Sequence, residues 1–211
     1  QVLAQDLTHP RDMEIPKSNF KRPDPAKYQI SLDNGLVAYV VKEDQVPLVS
    51  FSAFIKAGKI DGLKEGAAEA LTQAFLTGPK NMSLTAFKAA LKRMTAEYTV
   101  ILHNKWIEIN LNVPVEDLEE ALNLFSATVI SPNISEANIT IAAGKTTKDI
   151  EVDKNGVIID GSSSLAVRKF HEIILKGNIL GKKLIPSDFQ NLTTKDVQNF
   201  YNNYVCDYSL L

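Results

Sequence analysis

Residues 106–113 read WIEINLNV, and the alternation in this stretch is regular. Trp106, Glu108, Asn110 and Asn112 fall on one side, and Ile107, Ile109, Leu111 and Val113 on the other. A period of two with one apolar face is the signature of a half-buried strand in an antiparallel sheet. Glu97–Leu102 lies just upstream across the turn LHNKW, so the two segments read as an antiparallel pair. Further upstream, YQISLDNGLVAYVVKED (28–44) alternates at Tyr28, Ile30 and Leu32. Asn34-Gly35 then supplies the positive-φ positions of a two-residue turn, and an apolar run follows, which predicts a hairpin. Val46–Ala57 predicts a third strand, apolar enough to be central in a sheet.

The remaining segments read as helices. Gly66–Leu76 is short and apolar, and Gly78-Pro79 closes it. Ser83 caps a second helix with Leu84, Phe87, Ala90, Leu91 and Met94 on one stripe. Pro114 is expected at the first helical position of VEDLEEALNLFSATVI. Ser135 to about Lys154, Ser162–Lys176 and a segment capped by Thr193 or Thr194 complete the set. Strands and helices segregate along the chain, which predicts an α+β fold, not a doubly wound sheet. Residues 1–27 hold four of the nine prolines without periodicity and are expected to be an extended arm. Residues 28–211 are expected to form one domain.

Composition narrows the function. The 211 residues are 45% hydrophobic and carry a formal charge of −2, within the globular range and without the basic footprint of non-specific nucleic-acid binding. No apolar run reaches the roughly 18 residues of a membrane-spanning helix. Cys206, the single cysteine, can form no internal disulfide or cysteine-based metal site. The text begins at Gln1 with neither Met nor an apolar leader. The expectation is a trimmed sequence or a protein whose signal peptide has been removed, with a periplasmic or secreted location favoured. The sequons at Asn81, Asn133, Asn138 and Asn191 occur about as often as chance gives.

One helix breaks the apolar pattern. EGAAEALTQAFLTGP (65–79) places Glu69, Thr72 and Gln73 at i, i+3 and i+4, on one face. Read from spacing alone, such a patch is a solvated face. His9, His103 and His171 are not at ligand spacing from one another, and His171-Glu172 reads as a solvated helix face. Ser162, Ser163 and Ser164 after Gly161 lack G-x-S-x-G or G-x-x-x-x-G-K and read as a capping loop. Cys206 has no cation beside it in sequence and reads as a buried thiol. Trp106 keeps two readings: an exposed aromatic that contacts a partner or substrate chain, or one partly covered by the terminal arm.

The ordered series resembles the N-terminal half of an insulinase/pitrilysin-type zinc peptidase, the inverzincin group that includes the mitochondrial processing peptidase. The segments that carry the resemblance are ISLDNGLVAYVVKEDQVPLVSFSAFIKAG, EGAAEALTQAFLTGP, VPVEDLEEALNLFSATVISP and LTTKDVQNFYNNYV, spread over some 180 residues. It implies a LuxS/MPP-like metallohydrolase fold, a mainly antiparallel sheet packed against segregated helices. In active members the corresponding helix carries His-x-x-Glu-His, two zinc ligands flanking a general base. With Gly66 and Gly78 setting the register, Glu69 falls at the first His, Thr72 at the Glu and Gln73 at the second His. A third carboxylate ligand comes later in the family, and GKTTKDIEVD (144–153) offers Asp149 or Glu151 there.

The resemblance therefore implies an inactive homologue with no catalytic residues, no metal and no cofactor. The expected partner is an active zinc-peptidase subunit of the same family, with which the chain would enclose a peptide-binding chamber; the substrate would be a peptide or unfolded polypeptide. A structural or assembly subunit of a larger complex is the alternative. A hydrolase with rearranged ligands, using Glu69 with Asp149 or Glu151, is the third reading. The family continues into a second related domain, and the text stops at NNYVCDYSLL, where that transition would begin.

Overall fold

The computed structural model describes residues 20–32, 35, 37–42, 45–62, 64–155, 157–159 and 162–206, with Ser162, Ser163 and Cys206 described by backbone alone. His9, Asn34, Gly161, the expected arm before Phe20 and the Cys206 thiol lie outside the described residues. The chain divides into two compact units, Gln1–Val41 and Lys42–Leu211. In the first, a 3₁₀ turn at Pro25–Tyr28 is capped by the Asp24 carboxylate, which accepts from the Ala26 N–H at 3.1 Å. The expected hairpin follows: β1 (Gln29–Ser31) pairs antiparallel with β2 (Val37–Tyr39), Ile30 opposite Ala38.

The second unit is built on a three-stranded antiparallel sheet of β3 (Leu48–Ile55), β4 (Glu97–Leu102) and β5 (Ile107–Pro114), in the order β3-β5-β4. The alternation that predicted β5 is realised in packing, with Ile107, Ile109, Leu111 and Val113 fully buried. Each such side chain contributes about 1.5–3 kcal/mol relative to an exposed one. The expectation for Val46–Ala57 needs correction. β5 is central, paired with β3 from Leu48–Pro114 to Ile55–Ile107 and with β4 on its other side. Among the described residues β3 has β5 as its only partner strand. Its apolar run misled because Leu48 and Phe54 lie on the open face, alternating with half-buried Val49, Phe51 and Ala53; apolarity alone does not tell an edge from a centre.

Helices cover the inner face. α1 (Ala67–Leu76) packs against β4, α4 (Glu136–Thr147) and α7 (Thr194–Tyr201). Small side chains at Ala67, Ala70 and Ala74 permit the close approach, while Leu71 and Phe75 fill the core. Gly66 and Gly78 set the limits of α1, at φ +83° and +86°. A Cβ on Gly66 would lie 2.6 Å from the Phe189 ring, and one on Gly78 2.5 Å from the Phe87 ring. Both positions demand glycine for conformation and for space. α2 (Leu84–Arg93) is capped by Ser83 as expected, its hydroxyl accepting from the Ala86 N–H. Phe87 meets Tyr98 edge to face, centroids 5.5 Å apart.

Other boundaries shift. Pro114 closes β5 instead of opening a helix, because the Val115 N–H still donates to the Pro47 carbonyl at 3.1 Å. A 3₁₀ turn intervenes before α3 (Leu118–Ile130). The helix capped by Ser135 ends at Thr147, not near Lys154. The following residues form a small hairpin, β6 (Glu151–Val152) with β7 (Ile158–Ile159), whose turn Asp153 closes by accepting from the Asn155 and Val157 amides at 2.8 Å each. α5 (Ser162–Ile174) follows, then the short α6 (Pro186–Gln190) and α7, capped by Thr193. No described helix is long and apolar enough to cross a membrane.

Candidate functional site

The three polar residues of α1 lie on one helix but have different surroundings. Thr72 donates its hydroxyl proton to the Ala68 carbonyl one turn back, at 2.8 Å. Gln73 is only 7% exposed and turns toward α4, where its Oε1 accepts from the Lys145 Nζ at 2.8 Å. Glu69 is half-buried at the wall of a cavity of about 820 Å³. Burial pushes its carboxyl above the ordinary value; its own backbone amide and the nearby Lys59 ammonium pull part of the way back. A carboxyl gains a proton more readily when the cost of burial outweighs its charged and amide partners, and that is the balance seen here.

The cavity belongs to the second unit. Its walls come from the turn before α1, the N-terminal end of α1, the end of α4, α5 and the loop around 180–184. Cations outnumber acids in the lining: Lys59, Lys64, Arg168, Lys182 and Lys183 stand with a single carboxyl, Glu69, and with His171. Asp149 and Glu151 are not part of it. Asp149 is largely exposed and pairs with Lys148 at 3.8 Å, while Glu151 sits exposed on β6. Thr146 and Ile150 are what that segment contributes to the wall. Among the described residues no three His, Cys, Asp or Glu side chains group as a metal-holding set.

A second polar array crosses the open face of the sheet. Ser52 Oγ donates to Asn110 Oδ1 at 2.6 Å, and Asn110 Nδ2 donates to Glu108 Oε1 at 2.8 Å. The other Glu108 oxygen lies 3.0 Å from His103 Nε2. Hydrogen bonds from Asn110, then His103, hold the Glu108 carboxyl below its usual value. Trp106, 40% exposed, stacks on the His103 ring with centroids 4.8 Å apart. His171 is exposed, as a solvated helix face requires, and also lines the cavity, while the neighbouring Glu172 is paired with Arg168 and Lys169. Sequence reasoning missed Lys145. The available signal was a single lysine in a helix otherwise made of Ala, Ile, Thr, Asn, Gly and one Glu.

No family profile and no curated protein matches this sequence. Solved structures do match the fold. A peptidase M16 inactive domain from Pseudomonas fluorescens is 15% identical with a TM-score of 0.70, the match covering 82% of this chain and 42% of that one. A protease from Helicobacter pylori is 18% identical with a TM-score of 0.66, over 84% and 43%. The ferredoxin protease FusC, solved as a mutant in complex with Arabidopsis ferredoxin, is 14% identical with a TM-score of 0.64, over 86% and 20%. The fold is that of the M16 peptidases. This chain spans less than half the length of each of these three proteins.

The zinc that the sequence resemblance associates with the M16 fold does not suit the side chains on α1. Zinc takes imidazole, thiolate or carboxylate donors. Here the Thr72 hydroxyl is engaged with its own helix, and the Gln73 oxygen already faces an ammonium. A divalent cation beside that lysine would meet repulsion as well as a poor donor set.

Proposed function

We propose that this chain is a non-catalytic M16-type half, of insulinase/pitrilysin descent, that pairs with an active zinc peptidase of the same fold and helps enclose peptide. In this reading Glu69, Thr72 and Gln73 stand where an active half carries His, Glu and His, and Asp149 or Glu151 stands near the third ligand position. The observation that carries it is the hydrogen bond from the Lys145 ammonium to the Gln73 amide oxygen, which engages a lone pair that a metal ligand would need free. Support also comes from the likeness to an M16 domain described as inactive. Among the described residues β3 pairs on one side only, and an extended peptide adding to such an edge would need no metal.

The test combines metal analysis, a quenched fluorescent peptide assay and co-purification with a homologue bearing His-x-x-Glu-His. The expected result is no retained zinc, no hydrolysis by the chain alone and a stoichiometric complex with the active homologue. Tightly held stoichiometric zinc with hydrolysis overturns the reading. Co-purification with a large assembly in place of a peptidase points to the assembly-subunit alternative.

A further inference from the structure

We propose that the cavity beside α1 binds an acidic peptide segment, its lysines and arginine taking carboxylates and its apolar wall taking the side chains between them. This names the class of chain that the peptide-holding role would accept, and it rests on that reading.

The cavity, at about 820 Å³, sits in the upper part of the range of specific ligand pockets, about 300–1,000 Å³. Its lining side chains are mostly cationic, and three of the five cations are paired with carboxylates outside the lining. Asp196 holds Lys64 at 2.8 Å, Glu65 and Asp188 hold Lys182 at 2.7 and 2.8 Å, and Glu172 holds Arg168 at 2.6 Å. None of these four carboxylates lines the cavity. They neutralise much of the charge on those three cations, so the positive charge left facing the space rests chiefly on the other two lysines of the lining. Lys59 and Lys183 line the same space, are exposed, and form no ion pair among the described residues. The N-terminal end of α1 also opens here through Gly66, Ala68 and Glu69. The positive end of a ten-residue helix adds to the field. Glu69 is the one acid in the wall.

The rest of the lining decides between a bare anion and a chain. Ile150, Val167, Leu175 and Leu180 interleave with the cations, and an inorganic anion has no use for them. The cations come from three segments, residues 59–64, α5 and 182–183, an arrangement that suits several carboxylates borne on one strand.

The experiment measures binding of labelled short peptides to this chain by fluorescence anisotropy. One peptide alternates Asp or Glu with Leu, a second carries Asn and Gln in their place, and a third carries Lys. The acidic peptide is expected to bind about tenfold or more tightly than its amide form, and to weaken as salt rises from about 50 to about 300 mM. Lys59→Glu with Lys183→Glu is expected to erase that preference while the melting temperature stays put. The Lys59→Gln, Lys183→Gln pair serves if the first variant does not fold. Equal binding of the acidic and amide peptides overturns the proposal and leaves peptide holding intact. Binding of none of the three overturns both. Displacement of the acidic peptide by an equal concentration of inorganic phosphate overturns the peptide class.

Discussion

At the scale of single residues, Glu69 and Gln73 are four positions apart and differ in what their burial costs. Glu69 keeps a carboxyl whose protonation is favoured in the folded state. A raised carboxyl binds more protons folded than unfolded between the ordinary carboxylate value and its own, so stability falls as pH rises through that window. Glu69→Gln removes this dependence. The variant should match the parent near pH 4 and exceed it near neutral pH, as measured by urea unfolding at both pH values. Gln73 depends on Lys145 instead. Lys145→Met leaves a buried amide oxygen without its donor and should cost about 1 kcal/mol in the same assay. Spacing alone predicted a solvated face for both residues, but Gln73 is buried against α4 and Glu69 half-buried at a cavity wall. The sequence could not show that one meets a cavity and the other a lysine 72 positions away.

At the scale of elements, the limits of α1 are the most legible feature of the chain. Gly66 and Gly78 are required by a positive φ and by aromatic rings against their α-carbons. Gly78→Ala meets both penalties, left-handed backbone and a methyl against the Phe87 ring, and should destabilise by roughly 2–4 kcal/mol. Thermal unfolding followed by circular dichroism measures it; an unchanged midpoint would contradict the geometry. The fourth helix was read too long for a local reason. Thr147 to Glu151 carries no strong breaker; the helix gives way to a turn in which the Ile150 amide donates to the Thr147 carbonyl, and then to the β6–β7 hairpin closed by Asp153. α6, five residues long, is too short for periodicity to reveal.

At the scale of the whole second unit, contacts between distant segments hold the cavity in place. Asp196 joins the cap of α7 to the segment before α1: it accepts from Lys64 and from the Thr193 hydroxyl and amide, and these hydrogen bonds hold its carboxyl well below the usual value of 3.8. A lowered carboxyl contributes stability above the unfolded value that is lost as pH falls toward the folded one. Asp196→Asn should therefore be less stable than the parent at neutral pH and converge with it in strong acid; a constant difference across pH would contradict the link. By itself the sequence determined the α+β class, the buried side of β5, the glycine-bounded helix and the polar patch upon it, because period, φ preference and capping act within a few residues. Tertiary structure alone decided that β5, not β3, is the central strand of the three described, that Lys145 faces Gln73, and that cations from three segments line one space. Those are contacts between segments tens of residues apart in the chain, and no local preference encodes which of them will meet.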